Sequence, residues 1–139
     1  MKNLANCKPT EFLKQTNKIR KAVEKWLTVT EIARIRKQVP ELKSIDLDMT
    51  VEEKAGIQEE NRKRMQEQMF SNAMEILDAV LDKHPDETLE VLALLCFVDP
   101  AHVDDYEMTE YLDAFTELIG NKSVINFFTS LARLGRTDI

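Results

Sequence analysis

Along most of the chain the apolar positions recur at intervals of three and four residues, the period of a helix with one packed face. Nowhere do they alternate over a run long enough to make a strand. At about 100° per residue, Phe12, Thr16, Ile19, Val23, Trp26 and Leu27 share one face, while Lys14, Lys18, Lys21 and Lys25 fall opposite. The pattern predicts a first helix that opens at Pro9-Thr10-Glu11, with Thr10 as cap and Glu11 at the positive end of the helix dipole. It should run to about Leu27, its apolar stripe inward and its lysines forming a ridge.

Thr30 is placed to cap a second short helix, EIARIRKQV, which must stop before Pro40 because the residue ahead of a proline disfavours the α region. ELKSIDLDM then reads as a loop. Thr50-Val51-Glu52-Glu53 matches the S/T-x-x-E capping box, and from there to Lys83 no proline interrupts the chain. Residues 52–64 are nearly all polar, so they are solvated, frayed or held by a partner. Residues 65–81 present Met65, Met69, Met74, Leu77, Val80 and Leu81, and order is expected for this half.

Pro85 suits the first turn of a further helix over about 86–97, apolar nearly all round and therefore expected at the centre of the fold. Two more follow, one from about Met108 to Ile119 ended by Gly120, the other from Lys122 to Leu134, capped by Asn121 and closed by Gly135. The expectation is an all-α single domain of five or six helices. It comprises a basic part (1–43), a polar and mobile segment (50–64) and an apolar helical core (65–135).

Composition agrees: three glycines and four prolines interrupt 139 residues, with no internal repeat. The most apolar run, LEVLALLCFV, is half the roughly 20 residues needed to span a bilayer and reads as a core helix. Cys7 and Cys96 lie far apart, and the N-terminus lacks the apolar stretch of a secretory signal, so a reducing cytoplasm is expected. The net charge of −6 hides an asymmetry: residues 1–43 carry 11 Lys/Arg against 4 Asp/Glu, and residues 44–139 carry 8 against 21. Such a bipolar chain can be steered toward partners of either sign, including a second copy of itself, with Asp104, Asp105, Glu107, Glu110 and Asp113 as acceptors for the lysines.

The densest chemistry is CFVDPAHVDD. Cys96, Asp99, His102, Asp104 and Asp105 are the right residue types for a small metal-dependent hydrolase, but the familiar zinc spacings and the EF-hand register are missing. A buried cysteine beside a helix-ending Asp-Pro turn is the reading that the spacing favours. His84, ahead of Pro85, reads as a helix-junction residue. No serine sits in a G-x-S-x-G elbow and no glycine-rich phosphate loop occurs, so no catalytic residue, cofactor or metal ligand is assigned.

The lysine ridge reads either as a solvated face or as a site for an acidic protein. A sequence pI near 5.0 lacks the basic footprint of a nucleic-acid binder. Trp26 reads as core. Phe127 and Phe128 point about 100° apart on a helix, so one should pack inward while the other stays near the surface as an anchor for a partner. Met65, Met69 and Met74 are either core or adaptable contacts.

Three blocks in order, CKPTEFLKQTNKIRKAVEKWL (7–27), HPDETLEVLALLCFVDP (84–100) and VINFFTSLARLGRTDI (124–139), resemble the tail assembly chaperones of long-tailed phages and prophages of Gram-positive bacteria. The resemblance implies a non-enzymatic protein of the host cytoplasm, absent from the mature virion. It implies a protein that keeps the long helical tape measure protein soluble and helps recruit tail tube subunits. In that family a ribosomal frameshift often appends a second domain, and the ending GRTDI is compatible with the unextended form.

Overall fold

The computed structural model describes residues 1–136, and these are all-helical, with no strand among them. Six α-helices succeed one another: α1 Pro9–Thr30, α2 Ile32–Arg36, α3 Val51–Leu77, α4 Pro85–Leu95, α5 Met108–Ile119 and α6 Lys122–Arg136. A π turn, Asp78–Lys83, continues α3, and a 3-10 turn, Pro100–Asp105, precedes α5. The chain divides into two compact units, Met1–Trp26 with Asp86–Ile139, and Leu27–Pro85. Among the described residues no helix is long and apolar enough to cross a membrane.

Helix starts lie where side chains can satisfy stranded backbone N–H groups. Thr50 Oγ1 accepts from the Glu53 N–H at 3.1 Å, and Asn121 Oδ1 accepts from the Val124 N–H at 3.1 Å. At the head of α5 the Glu107 N–H donates to Glu110 Oε2 at 2.9 Å. α1 departs from expectation, because Pro9 is its first residue and Thr10 lies inside the helix instead of capping it. Glu11 does the capping, its Oε1 accepting from the Lys8 N–H at 3.3 Å. The Lys2 ammonium, hydrogen-bonded to the same carboxyl, holds Glu11 below the usual carboxylate range.

The helix ends differ from expectation more than the starts do. α1 runs on through Thr30, which is buried and belongs to its last turn instead of capping the next helix. The break falls at Glu31, whose left-handed φ of 54° leaves only five residues for α2. α4 stops at Leu95, and α6 passes through Gly135 to Arg136 instead of closing at Leu134. Of the ending 135–139, residues 137–139 lie outside the described residues.

In the first unit α4 sits between two apolar clusters. On one side Ala93, Cys96 and Val98 pack with Tyr111 and Ala114 of α5, and the Tyr111 hydroxyl donates to the Val103 carbonyl at 2.7 Å. On the other side Leu94, Leu95 and Phe97 pack with Ile19 of α1, Leu118, Val124 and the N-terminal Leu4. The face of α1 turned to α4 is rotated toward the lysines relative to the apolar stripe: Gln15 and Ala22 are buried, whereas Leu27 is exposed. Gln15 can go under because its Nε2 donates at 2.7 Å to the Leu94 carbonyl in the last turn of α4, which also accepts the Phe97 N–H at 3.3 Å and has a second lone pair to offer. Trp26 is half-buried and its Nε1 donates to Thr88 Oγ1 at 2.9 Å.

In the second unit, α2 and the extended chain after it pack along one face of α3. Ile35 is buried, as are Asn72 and Ala79. The Asn72 amide donates to the Gln38 carbonyl at 3.0 Å and accepts from Gln68 Nε2 at 2.8 Å. Farther up, Asn61 grips the backbone of Lys43 from both sides, accepting from its N–H and donating to its carbonyl, each at 3.0 Å. Arg64 donates to the Glu41 carbonyl at 2.9 Å, and Lys43 pairs with Glu60 at 2.9 Å. Residues 52–64, read as solvated, frayed or held by a partner, are helical and bonded to a strap from their own chain. The π turn ends with the His84 N–H on the Ala79 carbonyl at 2.9 Å, ahead of Pro85.

Candidate functional site

The first unit presents more apolar surface than its own helices cover. On α5 the buried residues are Tyr111, Ala114 and Leu118, yet a second stripe at spacing 4-3-4, Met108, Leu112, Phe115 and Ile119, is 48%, 49%, 40% and 53% exposed. On α6, Val124 and Phe128 turn inward while Ile125, Leu131 and Leu134 stay exposed. A helix packed against one neighbour needs a single stripe. These two helices carry more, and contiguous exposed apolar surface of this kind marks an interaction site.

Between α1, α5 and α6 the surplus forms a groove of about 380 Å³. Its walls are Ile19, Val23, Leu118, Ile119, Ile125, Phe128 and Leu131, with Arg20 the one charged residue at the edge among the described residues. Thr16 also lines it, its hydroxyl buried and without a hydrogen-bond partner among the described residues. A second apolar cleft, of about 440 Å³, opens next to it between Pro9, Phe12 and Leu13 of α1 and Val124 and Phe127 of α6. The consecutive phenylalanines therefore serve two surfaces. Phe128 is half-buried in the first groove and Phe127 is 41% exposed in the second. Phe12 lies against both, with ring centroids at 5.7 and 6.0 Å.

The lysine ridge borders a different recess. Lys18, Lys21 and Lys25 line an open groove of about 670 Å³ together with Gln15, Glu90, Phe97, Asp99 and Pro100, while Lys14 stands outside it. Lys25 faces Glu90 at 3.6 Å; among the described residues, Lys14, Lys18 and Lys21 have no carboxylate within 4.0 Å. The groove wall holds an unusual residue. Phe97 has φ of 58°, where a bulky side chain is strained. Its N–H returns to the Leu94 carbonyl at 3.3 Å and the Val98 N–H to the Ala93 carbonyl at 2.9 Å, the helix-ending motif that glycine usually completes. The Lys2 ammonium sits 5.1 Å from the centre of its ring.

CFVDPAHVDD is separated by the fold. Cys96 is buried among Ala93, Val98 and Tyr111, and burial pushes its thiol up, toward the protonated form. Asp99 Oδ1 accepts from the Ala101 N–H at 2.9 Å and opens the 3-10 turn. His102 and Asp105 pair with each other at the surface at 3.4 Å. Among the described residues no three His, Cys, Asp or Glu side chains are grouped to hold a metal ion.

Met65, Met69 and Met74 are all exposed on α3, not part of a core. The buried positions of that helix are polar or small, which hydrophobic periodicity passes over. The α5 stripe was legible in its 4-3-4 spacing, but a helix with two apolar stripes reads simply as apolar. No protein-family model, curated protein or solved structure matches this chain.

Proposed function

We propose that this chain is a tail assembly chaperone of a long-tailed phage or prophage, acting without catalysis in the host cytoplasm. It binds exposed helical segments of the tape measure protein, keeps them soluble and helps bring tail tube subunits to them. The observation that carries the reading is the apolar surface of α5 and α6, with Leu112, Ile119 and Leu131 exposed beside a groove about 380 Å³ in volume. An amphipathic helix laid into a groove presents its apolar side chains at the spacing that such a surface accepts. A client that must stay soluble until its tube forms around it offers such helices along its length. Phe127 supplies a further anchor, and the exposed Met65, Met69 and Met74 supply adaptable contacts.

Titration calorimetry with helical peptides cut from the tape measure protein of the same genome tests this reading. Binding should show a negative heat-capacity change, the mark of apolar burial, and should weaken at least tenfold in Ile119→Asp and Leu131→Asp. Absence of binding by any such peptide contradicts the proposal. So does a genome in which no gene for a very long helical protein lies beside this one.

A further inference from the structure

Residues 41–45 of the strap run straight and exposed along α3, in neither helix nor turn. One edge of this segment is bonded to side chains of α3. Arg64 donates to the Glu41 carbonyl, and Asn61 both accepts from the Lys43 N–H and donates to the Lys43 carbonyl. A neighbouring strand makes the same two-bond exchange with every second residue of an extended chain, so the Asn61 amide stands where a strand partner would. With Glu41 and Lys43 turned to α3, Leu42 and Ser44 present their N–H and C=O groups to the opposite edge. Among the described residues nothing bonds to those groups. Packing does not hold the strap, because Leu42, Ile45 and Leu47 are all exposed. Its extended form is fixed by polar side chains before any partner arrives, which lowers the ordering cost of binding.

We infer that the open edge at Leu42 and Ser44 is a docking site for an extended segment of another protein, which adds to it as a strand. The backbone groups select this occupant. An extended chain offers donors and acceptors at the two-residue spacing of the edge, whereas a helix has bonded its own internally. Charge narrows the choice. Glu41, Asp46 and Asp48 are exposed and have no cation within 4.0 Å among the described residues, so the segment that fits is basic as well as extended. The same charges disfavour the strap of a second copy, which would bring three more carboxylates to the edge. The strap shares no residue with the α5–α6 surface, and its edge can be filled whether or not that surface holds a client.

Calorimetry and amide hydrogen exchange on the full chain test this, with the acetylated and amidated peptide Lys-Val-Lys-Val-Lys-Val-Lys as probe. The peptide should bind and slow exchange at the Leu42 and Ser44 amides at least tenfold. Methylating its backbone nitrogens keeps its charge and removes its donors, and should abolish binding. Ser44→Pro takes one donor from the open edge and leaves the clamped edge intact. It should weaken binding at least tenfold while the far-UV circular dichroism and unfolding midpoint stay unchanged. No binding at millimolar peptide, binding indifferent to methylation or to Ser44→Pro, or protection that falls on other amides overturns the inference. A chain that dimerises by itself and loses that dimer in Ser44→Pro also overturns it, and gives the edge to a second copy.

Discussion

Gln15 Nε2 donates to the carbonyl oxygen of Leu94 at 2.7 Å, so a polar side chain on the lysine side of α1 fastens the end of α4. The bond turns α1 so that Gln15 and Ala22 are buried while Lys18, Lys21 and Lys25 border a recess. Gln15→Ala removes the donor and leaves a gap. Chemical denaturation should show a loss of about 1 kcal/mol, the net worth of one intramolecular hydrogen bond, because the Leu94 carbonyl keeps the Phe97 N–H.

Phe97 sets a test of strain against packing. Its left-handed φ costs roughly 1–2 kcal/mol for a residue with a side chain, and its ring belongs to the cluster around Ile19 and Leu118. Removing the ring destabilises the chain in either truncation, but Phe97→Ala keeps the strain and Phe97→Gly releases it. Phe97→Gly should therefore be the more stable of the two by about 1 kcal/mol in thermal or chemical unfolding, the reverse of the order at an ordinary helical site.

Acid should loosen the strap along α3. The Lys43 ammonium, hydrogen-bonded to Glu60, lowers that carboxyl from its usual value, with Arg64 adding to the effect. A carboxyl depressed in the folded chain contributes stability above its unfolded pKa, about 4.3, and loses it as pH falls through the lower, folded value. The unfolding midpoint should fall over that acid window. Glu60→Gln should flatten this part of the profile, and the difference should shrink at high salt because the pair is exposed. An identical acid limb in both proteins contradicts the role given to Glu60.

The lysine ridge predicts a weak, salt-sensitive self-association. Lys14, Lys18 and Lys21 have no partner carboxylate among the described residues. Asp104, Glu107, Glu110 and Asp113 of another copy can supply one. That contact joins unlike patches and extends, giving a ring or an open spiral. Species larger than the monomer should appear on concentration at low salt and disappear as the Debye length falls from roughly 10 Å at 0.1 M to 3 Å at 1 M. Lys14, Lys18, Lys21 and Lys25→Glu together should abolish them, and a copy with its acidic cluster reversed should partly restore them. Larger species indifferent to both salt and charge reversal contradict the ridge contact.

The order of the elements was legible because helix starts are chosen locally. Pro85, Thr50 and Asn121 announce themselves within one turn of chain. Ends and packed faces depend on distant residues. Gly135 permits a stop that α6 does not take, and Glu31 adopts a left-handed turn that no local signal requires. Asn72 and Gln15 are buried because carbonyls elsewhere in the fold accept their amides, and a hydrophobicity pattern scores such positions as surface. For the same reason the methionines of α3 were legible as a stripe but not as an exposed one. The Phe127 and Phe128 divergence was fully legible, since it follows from helical geometry alone.

The most direct test of the central claim is the fraction of tape measure protein that remains soluble when co-expressed with this chain. The wild-type chain should move the client from the insoluble to the soluble fraction. Leu112→Asp, Ile119→Asp and Leu131→Asp, all at exposed positions, should remove most of that rescue while leaving the helical signal and unfolding midpoint of the chain unchanged. Rescue that survives all three substitutions, or a client that stays insoluble with the wild-type chain, contradicts the account.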